Sequence, residues 1–239
     1  MDGFLSNESR RSWVIRIHYL GLFVAVLALI SEIMQYRLVE RIIAEGFTPE
    51  LDQLAASNDM RQDWVAIIEI LMIIIMVIFY LLWYVRAYNN LRALNIDLEY
   101  KSWWLIGGWL IPIASLFVPY KIMRERHDKT AQILRSHGID ANPKIFFCNL
   151  WWASWLILHF VSQIYIRFAR TAFYLEELQT SSIIFIIAVI IELFAIFFSL
   201  GVIKAYGKME TDLYDLVQSG QISCKDADPP QDSAESAYE

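Results

Sequence analysis

Four predominantly apolar runs, residues 13–37, 64–86, 146–168 and 182–204, constrain this chain more than any other feature. A hydrocarbon core of about 30 Å is crossed by about 20 helical residues at 1.5 Å each, and every run reaches that length. Each begins or ends near Trp, Tyr, Lys or Arg, the residues that anchor at the headgroup level. The runs are continuous rather than alternating, which predicts helices and not barrel strands. Composition agrees, with 57% hydrophobic and only 19% charged residues. A soluble domain carries about a quarter charged residues. The expected fold class is an all-α integral membrane protein with four transmembrane helices.

A fifth apolar run, 103–118, is different. It is shorter, contains Gly107-Gly108, and is interrupted by Pro112 and closed by Pro119. An interior proline removes a backbone hydrogen bond, a loss that lipid-exposed backbone does not tolerate. The run predicts a re-entrant or interfacial segment on the cytoplasmic side. Charge bias favours the same count. With four crossings and the N-terminus inside, 15 of the 20 basic residues are cytoplasmic, whereas a fifth crossing would place a basic flank outside. Both termini are expected in the cytoplasm, and Arg10-Arg11 is expected to precede an uncleaved first helix.

Between the spans, the outer loop 38–63 is acidic, and Thr48-Pro49 reads as an N-cap and first-turn pair opening a short helix through Leu51 and Leu54. Residues 120–137 read as an amphipathic cytoplasmic helix, opened by Pro119 and closed by Gly138. Ile122, Met123, Ile133 and Leu134 are its apolar residues, with Lys121, Arg124, Arg126, Lys129 and Arg135 as a basic face. Such a helix either lies on anionic lipid or packs under the bundle. The membrane domain is expected over 1–218, with a disordered acidic tail over 219–239.

Several groups carry potential chemistry. Ionisable residues inside a membrane are costly and so are functional candidates. Glu32, Glu69, His159 and Glu192 are these residues, one on each span. Gly21, Ala25, Ala28 and Glu32 share one stripe, and Ala188, Glu192, Ala195 and Ser199 another, which predicts that both face neighbouring helices. If the four converge, they could hold a divalent metal or relay protons. Against a catalytic metal stands the absence of Glu-x-x-His and HExxH spacing. No P-loop, GxGxxG or GxSxG occurs, the two Cys have no CxxC spacing, and no cofactor is expected. The formal charge of -6 argues against nucleic acid as a partner.

One block is distinctive: Trp83-Tyr84-Val85-Arg86-Ala87-Tyr88-Asn89-Asn90-Leu91, then Gly108-Trp109-Leu110-Ile111-Pro112, then Pro119-Tyr120-Lys121-Ile122-Met123-Arg124-Glu125, followed by Trp151-Trp152 and Trp155. It resembles the bacterial membrane family catalogued as domain of unknown function 4328, most strongly over 83–125 and more weakly to about 208. This chain carries Ala114-Ser115 where that family tends to have an Asn between the prolines. The resemblance implies a multi-helix membrane domain and supplies no activity. The physical reading of the block is a structural knot or a headgroup pocket. In it, Arg86, Asn90 or Arg124 would meet a carbonyl freed by Pro112, while Gly108, Trp109, Pro119 and Glu125 complete the motif.

Two functions follow as expectations. The first is a non-enzymatic inner-membrane protein that engages anionic lipid or a membrane protein partner, including a second copy of itself, through its cytoplasmic Trp- and Arg-rich face. The second is a proton- or metal-dependent transporter or membrane enzyme that uses Glu32, Glu69, His159 and Glu192.

Overall fold

The computed structural model describes residues 3–222, which form helices and no strand. Six α-helices follow in order: α1 (Glu8–Glu45), α2 (Pro49–Ala93), α3 (Trp104–Leu110), α4 (Val118–Ser136), α5 (Ile145–Thr171) and α6 (Leu175–Gln218), with a 3-10 turn at Ala114–Leu116 between α3 and α4. Helices α1, α2, α5 and α6 are each long and apolar enough to cross a membrane. Of the expected tail, residues 223–239 lie outside the described residues.

The spans run well past their apolar stretches. With 45 residues, α2 is about 68 Å long, more than twice the hydrocarbon thickness. This corrects the expectation of a capped loop over 38–63 with one short helix. Thr48 does cap a helix, since its hydroxyl accepts from the Leu51 N–H at 3.2 Å, but that helix continues unbroken into the second span. Gly46, at φ +77°, ends α1, so the two helices join through a turn of three residues. Buried Val39 and Ile42 on α1 and Leu51 and Asn58 on α2 keep the extended hairpin packed.

The spans lie in the order α2–α1–α6–α5. Helix α1 packs on α2 and α6, and α6 packs on α5, while α2 and α5 form the two flanks without close backbone packing between them. Small side chains set the inner seams, as the two stripes predict. Ala25, Ala28, Ala188, Ala195 and Ser199 are buried, and a Cβ added at Gly21 would fall 2.5 Å from Met76 Sδ. Within lipid no hydrophobic force draws helices together, so close backbone approach and buried hydrogen bonds must hold them. His18 supplies one such bond: its ring bridges the Val14 carbonyl at 2.8 Å and the Ser199 hydroxyl at 3.0 Å.

The densest apolar core is not at mid-span but at the α4 end. Trp83, Tyr84, Tyr88 and Leu91 of α2, Ile122, Met123 and Leu134 of α4, and Ile203, Tyr206 and Leu213 of α6 are wholly or almost wholly buried there. The fifth run forms no helix long enough to cross. It forms the seven-residue α3, turns at Pro112, where the Ser115 hydroxyl donates to the Pro112 carbonyl at 2.7 Å, and leads into α4. Gly108 permits this fold-back, because a Cβ there would lie 2.8 Å from Val118 Cγ1.

Candidate functional site

The residues of the distinctive block meet at the α4 end. Trp109 projects from α3 as a wedge between the flanks. Its ring lies 6.0 Å from Tyr80 and 6.2 Å from Tyr84 on α2, and 6.4, 6.3 and 6.1 Å from Trp151, Trp152 and Trp155 on α5, mostly edge-to-face. Aromatic pairs favour such geometry, since positive ring edges meet negative faces. Below the wedge, Glu125 of α4 organises the loop over 94–103. Its carboxylate accepts from the Tyr88 hydroxyl and from the Glu99 N–H, both at 2.6 Å, while the Tyr100 N–H donates to Tyr88 Oη at 3.2 Å. Burial and this hydrogen bond push the Tyr88 phenol well above its usual range, so the hydroxyl stays a donor. Arg92 adds a bond to the Tyr100 carbonyl at 2.8 Å.

Arg86, Asn90 and Arg124 do not serve Pro112, which corrects the expected knot. Asn90 is turned to the N-terminal segment, where it donates to the Leu5 carbonyl at 2.8 Å and accepts from the Leu5 N–H at 3.2 Å. Arg124 is exposed and pairs with Asp128 at 3.6 Å, one helical turn on. Arg86 is half-buried beside Arg10. The re-entrant segment is held instead by the Gly108–Val118 approach, by the Trp109 rings, and by Tyr84, whose hydroxyl donates to the Pro119 carbonyl at 3.3 Å.

Helix α4 packs under the bundle through its inner face, and that face includes Arg126, His127 and Thr130, all fully buried. Arg126 therefore does not belong to the exposed basic face. Lys121, Arg124 and Arg135 do, with Lys129 partly covered. Outside this helix, α3 and the turn after it expose an apolar ridge. Trp103 (54%), Ile106 (49%), Leu110 (76%), Ile113 (78%) and Phe117 (58%) are all accessible. Lys101 and Lys121 stand at its two ends in the sequence.

The four intramembrane candidates are only partly brought together. Glu69 of α2 and Glu192 of α6 line one cavity of about 10 Å³ beside Gly21, Ala25, Met72 and Met76. That volume suits roughly one water molecule. Glu32 is buried in a separate network, where it accepts from Gln62 at 3.2 Å, and Gln62 in turn accepts from Ser31 at 2.9 Å. His159 faces outward on α5, stacked on Trp155 at 5.9 Å. Among the described residues no three His, Cys, Asp or Glu side chains stand together as a metal site. A metal held by all four is thus not what the fold builds. His18, a buried intramembrane imidazole beyond these four, continues the Gly21–Ala25–Ala28–Glu32 stripe one turn earlier, a spacing visible in the sequence.

No curated protein and no solved structure matches the chain. The family model described as a domain of unknown function (DUF4328) matches residues 49–208, from the first residue of α2 through the wedge and α4 into α6. That span is about two thirds of the sequence and contains the whole of the distinctive block, so the chain belongs to this family.

Proposed function

We propose that this is a non-enzymatic inner-membrane protein, its termini and α4 on the cytoplasmic side, that engages anionic lipid through the surface formed by α3, the 3-10 turn and α4. One observation carries the reading: an exposed apolar ridge, Trp103 to Phe117, continuous in sequence with the exposed cations Lys101, Lys121 and Arg124. Apolar side chains at an interface enter the acyl boundary while neighbouring cations meet headgroups. Each cation near an anionic surface contributes about 1 kcal/mol, so three are worth roughly a hundredfold in binding at low salt. The purified wild type should retain phosphatidylglycerol over phosphatidylcholine in native mass spectra. The triple change Lys101→Gln, Lys121→Gln, Arg124→Gln should abolish that preference. Equal retention of the two lipids by the wild type would remove this reading.

A second reading rests on the cavity shared by Glu69 and Glu192. Two carboxylates around a water-sized space within the spans are suited to proton transfer rather than to a metal. In proteoliposomes loaded with a pH-sensitive dye, Glu192→Gln should slow proton flux at least tenfold if they carry it. Flux in the wild type no faster than in empty vesicles would dismiss this alternative.

A further inference from the structure

The buried face of α4 carries a charge that neither reading uses. Arg126 is 0% exposed, and its Nε, Nη1 and Nη2 have no hydrogen-bond partner among the described residues. Its guanidinium carbon lies 3.9 Å from the ring centroid of Tyr206, 4.5 Å from that of Trp83 and 5.3 Å from that of Tyr84. These rings attract the positive charge through their quadrupoles. They offer no lone pair to the five N–H donors of a guanidinium. An ion removed from water needs both charge and hydrogen bonds replaced, and the rings replace only the first.

The obvious counter-charge is otherwise engaged. Glu210 of α6 is the acid whose field Arg126 meets, yet its Oε1 accepts from Asn7 Nδ2 at 2.9 Å and no ion pair joins it to Arg126. Burial raises its carboxyl above the ordinary range, against the hydrogen bonds of Asn7 and Trp83 and the charges of Arg126 and Arg11, which hold it down. One more donor lies near the same enclosure. Tyr80 Oη is buried and unpartnered, and its ring packs 5.7 Å from that of Trp83, which faces the guanidinium and has its indole beside the Glu210 carboxylate. The remaining unpartnered polar atoms close by are Asn7 Oδ1 and His127 Nε2, too few to serve these donors.

We propose that the Arg126 enclosure is a binding site for one small monovalent inorganic anion of about halide size, with the guanidinium N–H groups and Tyr80 Oη as its donors. A donor-rich, positively charged and acceptor-poor centre calls for an anion. Complete enclosure restricts it to a compact one, because a lipid phosphate would bring its chains. The aromatic walls favour an ion that sheds water readily.

The test uses the full chain in a zwitterionic detergent, with chloride exchanged for gluconate at constant ionic strength. Gluconate is too large to enter. Ligand that binds only the folded state raises the unfolding temperature in a saturable manner. The expected result is such a rise with chloride or bromide, and none with gluconate. Arg126→Met keeps the side-chain volume and removes the buried charge, a change that buried ion sites commonly tolerate. Its unfolding temperature should not respond to chloride. Tyr80→Phe removes one donor and should shift the chloride midpoint upward by about tenfold. A wild type equally stable in both salts would overturn the proposal, as would a chloride response of the same size in Arg126→Met or an unmoved midpoint in Tyr80→Phe.

Discussion

Replacing Trp109 with alanine should destabilise the protein by about 3 kcal/mol, the lower end of the range for deleting a large aromatic side chain from a packed core, because this ring is partly accessible. The effect is large because this one ring touches five others on both flanks: Tyr80, Tyr84, Trp151, Trp152 and Trp155. Helices α2 and α5 have no close backbone packing to fall back on, and besides the wedge only side chains such as Tyr80 and Trp151, 5.9 Å apart, meet across the gap. The indole Nε1 has no partner among the described residues, so its N–H adds nothing to hold the site. Trp109→Phe removes that unpaired donor along with part of the ring, and should therefore lose less than half as much. Reversible unfolding in a mild detergent measures both. A loss under about 1 kcal/mol in Trp109→Ala would show that α3 does not join the flanks.

The four spans were legible because length and hydropathy alone decide whether a helix can cross a bilayer. The fifth run was legible for a related reason. Gly107-Gly108 and Pro112 break a helix too short to cross, and the chain turns back there. The helix ends beyond the bilayer were not legible. Polar residues over 38–63 fit a loop and a helix equally well, and what decides for a helix is the packing of α1 on α2, which buries Val39, Ile42, Leu51 and Asn58. Thr48 announced a helix start correctly, but a cap says nothing of where the helix will end.

The site was legible as a block of residues and not as a set of contacts. Tyr88, Glu125, Trp109 and Pro119 meet because α3 and α4 fold back under α2, a placement that no local pattern encodes. Arg126 is the instructive case. By residue type it belongs to the basic face, yet Ile122, Met123, Arg126, His127, Thr130, Ala131 and Leu134 recur at three- and four-residue spacing. That periodicity places Arg126 and His127 in the middle of the buried stripe, and phase outweighs polarity when the polar group has aromatic rings to meet. For the intramembrane acids, the small-residue stripes identified the right faces. They could not tell that Glu32 and Glu69 look into different surroundings, since the order of helices around α1 sets that.

Neighbouring Arg126, His127 should make stability fall on acidification. Its imidazole is pushed down to about 3, first by burial and then by the adjacent Arg126 charge, against a smaller opposing effect of the Met123 carbonyl. Nδ1 donates to that carbonyl at 2.8 Å, which fixes the neutral tautomer, and the ring packs 4.8 Å from Tyr206. The ordinary value is 6.5, so below it the unfolded chain takes up a proton that the folded chain refuses. The contribution to stability is thus fully present above that value and is lost as pH falls toward 3. The slope approaches about 1.4 kcal/mol per pH unit, hence about 2 kcal/mol between pH 6.5 and pH 5, or roughly 5 °C for a chain of this size. His127→Phe keeps the ring against Tyr206 and removes the proton site. Its unfolding temperature should therefore drop by roughly 5 °C less than that of the wild type between pH 7 and pH 5. In Arg126→Met the imidazole loses its repelling neighbour, so that variant should fall between the two. Identical acid sensitivity in wild type and His127→Phe would assign the effect to other groups and show that this imidazole does not resist protonation.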